Sequence, residues 1–186
     1  SYDALAMFVH KDNPIDRLTL AQADAVFSKT RKRGGRNATT WGVLGLSGDW
    51  TARPISLYGR NSASGTYGFF REHVLSNGDY RDTVKEQPGS ASVVQGITED
   101  RFGIGFSGIG YRTSGVKAIA LSSDGVNYSN GSYEDVVRGR YPLARFLFIY
   151  VNRVPGKPLD PLVREFLRFI LSREGQEIVI KDGYLP

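Results

Sequence analysis

The stretch Gly59-Arg60-Asn61-Ser62-Ala63-Ser64-Gly65-Thr66, followed by Tyr67-Gly68-Phe69-Phe70-Arg71-Glu72-His73-Val74, constrains this chain more than any other. Just upstream, Pro54-Ile55-Ser56-Leu57-Tyr58 has the composition of a strand. Downstream, Phe69, Phe70, His73 and Val74 recur at spacings of three and four, the inward face of a helix. The segment therefore reads as strand, polar turn and helix. The first N–H groups of a helix lack internal partners, and the helix dipole places partial positive charge there. Two serines, a threonine, a glycine permitting close approach and one arginine complete a donor set suited to a tetrahedral oxyanion. A helix cap beside one solvated arginine is the alternative these residues allow.

The rest of the chain alternates strand and helix signals. Ala4 to Val9 is an apolar strand closed by Lys11-Asp12-Asn13-Pro14. Thr19 and Gln22 have capping-box spacing, with Ala23, Val26 and Phe27 on the inner face of the helix that follows. Residues 28–52 are loop-rich, anchored by Trp41, Leu44, Leu46 and Trp50. Ser90 to Gly96 is a short helix, Phe102 to Phe106 and Lys117 to Leu121 are strands, and Ser132 with Asp135 opens a brief helix. Phe146 to Val151 reads as a buried strand. Asp160-Pro161 opens a long helix with Leu162, Phe166, Phe169 and Ile170 as its buried stripe. Ser172 caps a last helix that ends at Gly183. This order implies an α/β fold with a mainly parallel sheet.

Several functions are argued against by what the residues lack. Gly103-Ile104-Gly105-Phe106-Ser107-Gly108 matches G-x-G-x-x-G by letters, but no strand precedes it and no helix follows, so these glycines read as close backbone approaches. A hydrolytic triad would need His10 or His73 as its base, and His73 lies more than two helical turns past Ser64. The sequence has no G-x-S-x-G elbow. With two separated histidines and no cysteine, no metal-ligand set or disulfide is expected. Asp79, Asp82, Glu99 and Asp100 read as surface charges. No run approaches the roughly 20 apolar residues of a membrane span. The net charge of +5 favours anionic partners. Much of the excess lies in Lys29-Thr30-Arg31-Lys32-Arg33-Gly34-Gly35-Arg36, a solvated basic loop or, alternatively, a nucleic-acid surface. No aromatic residue interrupts the run to stack on bases, which weighs against the second reading.

The R-x-x-x-S-G-T form of Arg60 to Thr66 at a helix start resembles the phosphate loop of the periplasmic phosphate-binding proteins of ABC transporters. The likeness runs in order along nearly the whole chain. It includes Tyr2-Asp3-Ala4-Leu5-Ala6, Asp12-Asn13-Pro14, Val26-Phe27-Ser28, Tyr141-Pro142-Leu143-Ala144-Arg145, Tyr150-Val151-Asn152, and the helical stretch from Phe166 to Gly183-Tyr184-Leu185-Pro186. The resemblance implies an α/β periplasmic-binding-protein fold of two lobes joined by two crossover strands, the first lobe incomplete. Residues 1–52 and 144–186 would form the first lobe, 57–140 the second with the anion loop, and 53–56 and 141–143 the crossovers.

The function implied is non-catalytic binding of inorganic phosphate as the receptor of an ABC uptake system, periplasmic or extracytoplasmic, with a transporter permease as partner and no cofactor. Arg60, Ser62, Ser64, Gly65 and Thr66 would hold the phosphate. Ser62 stands where some members carry an acidic residue that braces the arginine, and its hydroxyl is expected to bond to Arg60 or the ligand. Family members also begin with a strand, a serine- and threonine-rich loop and a helix, which supply the other jaw and the carboxylate that accepts the phosphate proton. This sequence starts after them, so weaker binding and self-association through the incomplete lobe are expected. The alternatives are an interaction or scaffold module that keeps the fold, and a basic nucleic-acid-binding domain.

Overall fold

The computed structural model describes all 186 residues, Ser1–Pro186. Its centre is β1 (Tyr2–His10), a nine-residue strand whose interior is buried on both sides. Short β2 (Arg17–Thr19) leads into α1 (Leu20–Phe27), where Thr19 and Gln22 form the expected capping box. Residues 28–55 contain only two 3₁₀ turns, held by fully buried Trp41 and by Trp50 packed edge-on against it. The chain then enters β3 (Ser56–Arg60), α2 (Gly65–His73), β4 (Lys85–Gln87), α3 (Ser90–Glu99) and β5 (Gly103–Gly108). After β6 (Val116–Ala118), β7 (Ala120–Ser122) and α4 (Tyr133–Val137), it returns through β8 (Ala144–Phe146) to α5 (Pro161–Leu171) and α6 (Arg173–Lys181).

The main sheet has the order β4-β3-β5-β1-β6, with β8 also pairing β1. β3 is parallel to β4 and β5, whereas β1 is antiparallel to β5, β6 and β8. The sheet is thus mixed rather than mainly parallel. An unbroken apolar run marks a central strand but carries no information on its direction. β1 also shares this one sheet with β3 and β5, so hydrogen bonding is continuous between residues 1–52 and 57–140.

Alternation along β1 and β5 separates two cores. Leu5, Met7, Val9, Ile104 and Phe106 face α1 and α2, while Ala6 and Phe8 face α3. On the first face, Phe70 of α2 stacks flat on Phe106 at 3.8 Å, and Phe27 of α1 meets both rings edge-on. On the second, Val93, Val94 and Ile97 of α3 pack against Tyr58. There Gly103 and Gly105 leave room: a Cβ on Gly105 would lie 2.6 Å from the Tyr58 carbonyl oxygen and 2.9 Å from Ile97. The glycine-rich run is therefore a strand that admits a tyrosine ring, as its context implied.

The C-terminal segment departs from expectation. Ala144–Phe146 pairs with β1 and Leu185 bridges to Tyr2, but residues 147–151 form no ladder. Phe148 is 69% exposed, Leu162 80%, Phe166 58% and Phe169 50%, so the predicted buried stripe faces solvent and these phenylalanines are not core. The helices are still made locally: Asp160 accepts from the Leu162 and Val163 N–H groups, and Ser172 accepts from Gly175 N–H. The amphipathic stretches do form helices, Pro161–Leu171 and Arg173–Lys181. What the pattern does not reveal is whether a neighbour covers the apolar face. No helix is long and apolar enough to cross a membrane.

Candidate anion site

β3 delivers Arg60 to the edge of a concavity, and α2 begins four residues after the turn starts. Ser64 is the N-cap of α2, its hydroxyl oxygen accepting the Thr66 N–H at 3.1 Å. Phe70, buried against Phe106, fixes the helix on the sheet so that this end stays at the rim. Arg60 and Thr66 line one cavity of about 150 Å³, together with Ser90, Asp3, Arg145 and Tyr184 among others. That volume, about five times the share of liquid held by one water, suits a small anion.

Arg60 is held from β4 and α3. Its register partner is Gln87, which brings the adjoining Pro88 carbonyl within reach of Nη2 at 3.1 Å. Nη1 donates to Ser90 Oγ at 2.9 Å. The Nε–H is buried and has no acceptor. Five donors meet two neutral acceptors, so the guanidinium has several donors open and no direct ion pair, while the carboxylates Asp3 and Asp182 line the same cavity. Ser62, by contrast, is exposed in the turn and makes no bond to Arg60, so the expected brace comes from α3 instead. Gly65 lies outside the cavity lining but its carbonyl accepts from Arg145 Nη1 at 3.4 Å.

Arg145 is a second cation on this rim. Nε and Nη2 donate to Asp3 Oδ2 at 2.9 and 2.6 Å, and the guanidinium lies over the Phe69 ring. It ties β8 to β1 and to the start of α2. Of the residues expected here, Arg60 and Thr66 line this cavity while Ser64, like Gly65 and Ser62, lies outside its lining; Ser90 and the Asp3–Arg145 pair were not foreseen. An arginine embedded in the apolar crossover between Leu143 and Phe146 was the available signal.

A larger concavity of about 540 Å³, lined by Asp124, Asn127, Tyr128 and Arg140, shares no residue with this cleft. Asp124 there already accepts from the Val126 and Asn127 N–H groups and from the Asn127 amide, and these bonds hold its carboxyl well below the usual range. Its oxygens are engaged in shaping the loop.

The basic run is largely engaged with protein groups. Arg33 donates to the Val74 and His73 carbonyls at 2.7 and 2.6 Å, and Lys32 donates to the Asn77 carbonyl. Lys29 pairs with Asp82 at 3.0 Å. Three of these cations thus bond to groups at or just beyond the C-terminal end of α2, as a basic loop packed on the protein does. His73 stacks on Phe69, with Nδ1 3.1 Å from the Phe69 carbonyl, and faces no serine.

Comparison with known proteins places this geometry in context. The Phosphate-binding protein PstS of Pseudomonas aeruginosa is 55% identical over 186 residues, covering 99% of this chain and 58% of that protein. Protein SphX of Synechococcus elongatus is 31% identical over 190 residues, covering 100% of this chain and 54% of its own length. The chain thus spans a little over half the length of these curated relatives. A Clostridium perfringens protein whose crystal structure holds bound phosphate superposes with a TM-score of 0.73 at 28% identity, over 100% of this chain and 69% of that one. An ABC-type phosphate transport receptor from Vibrio cholerae has a TM-score of 0.76, over 100% of this chain and 70% of that one, at 20% identity, a likeness of fold alone. The family model described as PBP superfamily domain matches residues 1–174, and the chain belongs to that family.

Proposed function

We propose that this chain carries the anion-holding part of a phosphate receptor serving an ABC uptake system, working outside the cytoplasmic membrane and without catalysis. The observation that carries the reading is Arg60, bonded only to the neutral Ser90 hydroxyl and Pro88 carbonyl and sharing a cavity with Thr66 at the start of α2. Relatives whose names state phosphate binding share this chain's sequence over nearly its full extent. In the proposed complex, Arg60 forks onto phosphate oxygens and the Gly65 and Thr66 N–H groups and hydroxyls of Ser64 and Thr66 supply the remaining donors. Ser64 Oγ now accepts the Thr66 N–H, so that N–H must exchange its partner for the ligand. Ser62 takes no part unless the turn moves.

The division into lobes belongs to the same proposal. The sheet shared by β1, β3 and β5 favours grouping residues 1–10 with the anion-loop lobe, and the exposed apolar face of 146–151, α5 and α6 favours a separate lobe there. That face is where self-association through the incomplete lobe would occur, and a permease would be the partner of the assembled receptor.

Calorimetric titration of the protein with inorganic phosphate, and in parallel with sulfate, tests the reading. Saturable one-to-one phosphate binding is expected, weakened about ten- to over a hundredfold in Arg60→Ala. No heat from either anion at millimolar concentration would overturn it, and leave an interaction module of the same fold.

A further inference from the structure

We infer that Ser90 is the residue that orients Arg60, and that the brace for the anion-binding guanidinium is an uncharged relay running back into the sheet. The inference deepens the phosphate reading and rests on it for its functional meaning. Ser90 opens α3 and is partly buried beside the cavity it shares with Arg60. Its hydroxyl accepts Arg60 Nη1 at 2.9 Å. Its own backbone is held in turn, because the hydroxyl of Ser107, fully buried on β5, donates to the Ser90 carbonyl at 3.1 Å.

The position of Ser90 follows from the fold. β5 places Ser107 on the α3 face, the same face that Gly103 and Gly105 keep thin, so the start of α3 sits close to the sheet. Ser90 is not needed as a helix cap: Gly89 occupies that position and no side chain caps the helix there. Its hydroxyl is free to serve the arginine. A guanidinium turns about its Cζ–Nε bond and its long stem samples many rotamers, so a second anchor beside the Pro88 carbonyl selects one fork orientation before the anion arrives.

A neutral brace also has a chemical consequence. A carboxylate partner would share the charge of Arg60 with the ligand, whereas a hydroxyl and a carbonyl leave it available. Ser90 is thus a positioning residue for binding an oxyanion through Arg60.

Two measurements on the protein test this separately. The first is the arginine side-chain ¹H–¹⁵N spectrum, with Arg60 assigned by its loss in Arg60→Ala. Slow rotation giving distinct Nη signals is expected in the parent and in Ser90→Thr, and merged signals in Ser90→Ala. The second is inorganic phosphate titration in a double-mutant cycle. Ser90→Ala is expected to weaken binding about five- to twentyfold, as when an oriented partner of a charged group is lost. It should weaken binding less than about twofold when Arg60 is already alanine, as coupling through that one residue requires. Unchanged Arg60 signals in Ser90→Ala would overturn the positioning role, whether or not phosphate binds. An equal loss in both backgrounds would also overturn it, making Ser90 a direct ligand. Absence of phosphate binding by the parent would refute the receptor reading alone, with the spectrum still deciding the role of Ser90.

Discussion

Arg33→Ala should destabilise the protein by about 1.5 kcal/mol while leaving anion affinity almost unchanged. The magnitude follows from what Arg33 touches. Its Nε donates to the Val74 carbonyl at 2.7 Å in a half-buried setting, and its Nη2 donates to the His73 carbonyl at the surface. Water replaces the second bond at little cost, while losing the first costs about 1 kcal/mol. Removing the Arg33 cation from beside the C-terminal end of α2 adds about 0.5 kcal/mol through the dipole. The Arg33 N–H to Asp24 Oδ2 bond, 2.8 Å, belongs to the backbone and survives. With a urea m-value of about 2 kcal/mol/M, the midpoint should fall by about 0.7 M. The nine residues of α2 put the anion end ~13 Å away, beyond the Debye length at physiological salt, so phosphate affinity should stay within about twofold. A midpoint within 0.15 M of the parent, roughly the error of such fits, would mean that the capping geometry contributes nothing. A loss of affinity as large as that of Arg60→Ala would mean that the basic run acts on the ligand.

Arg60→Ala should weaken phosphate binding about ten- to over a hundredfold by calorimetry, since a charged hydrogen-bond donor is removed. Because the side chain also bonds Ser90 and Pro88, stability should fall too, by about 1 kcal/mol at most; equal affinity in mutant and parent would refute its role. Gly96→Ala would set a Cβ 2.6 Å from the Tyr58 ring, which is held through its hydroxyl by Asp100 and Lys85. Overpacking of about 1–3 kcal/mol outweighs the helix gain of up to about 1, so urea melts should show a loss; a more stable variant would show that Tyr58 moves freely. Burial raises the Asp24 carboxyl above the usual range, against lowering contributions from Arg33 N–H, Ser28 and nearby arginines. The native state then holds the Asp24 proton to higher pH than the unfolded chain, so its contribution to stability is fullest below about pH 4 and declines as pH rises through the raised value. Asp24→Asn should therefore gain on the parent as pH rises from 4 to 7, and a constant difference across that range would refute the assignment.

The local signals in this sequence were strong. The Thr19–Gln22 box, the Ser64, Ser132, Asp160 and Ser172 caps and the glycine stop at Gly183 all appear where the residues indicate, because caps are decided within four residues of chain. That Arg60 and Thr66 share one cavity was legible for the same reason, since they lie six positions apart in the chain. Ser90 and Arg145 were not, since they reach the cleft through strand pairing, Gln87 beside Arg60 and Arg145 beside Asp3. Phe166 and Phe169 were misplaced because periodicity records which face is apolar, and says nothing of what covers it.

The position of β1 has a kinetic consequence. This strand lies at the centre of the sheet, yet its partners Gly103–Gly108, Val116–Ala118 and Ala144–Phe146 are all roughly a hundred residues or more downstream. During synthesis this apolar strand leaves the ribosome long before its partners and waits, unpaired, until β5 follows. The parallel β3–β5 unit with α3 between them is comparatively local and forms without it. Folding should therefore be slow, with a step in which β1 is captured between strands already made. During that wait Ala4 to Val9 is the segment that a chaperone would hold and that would otherwise seed aggregation.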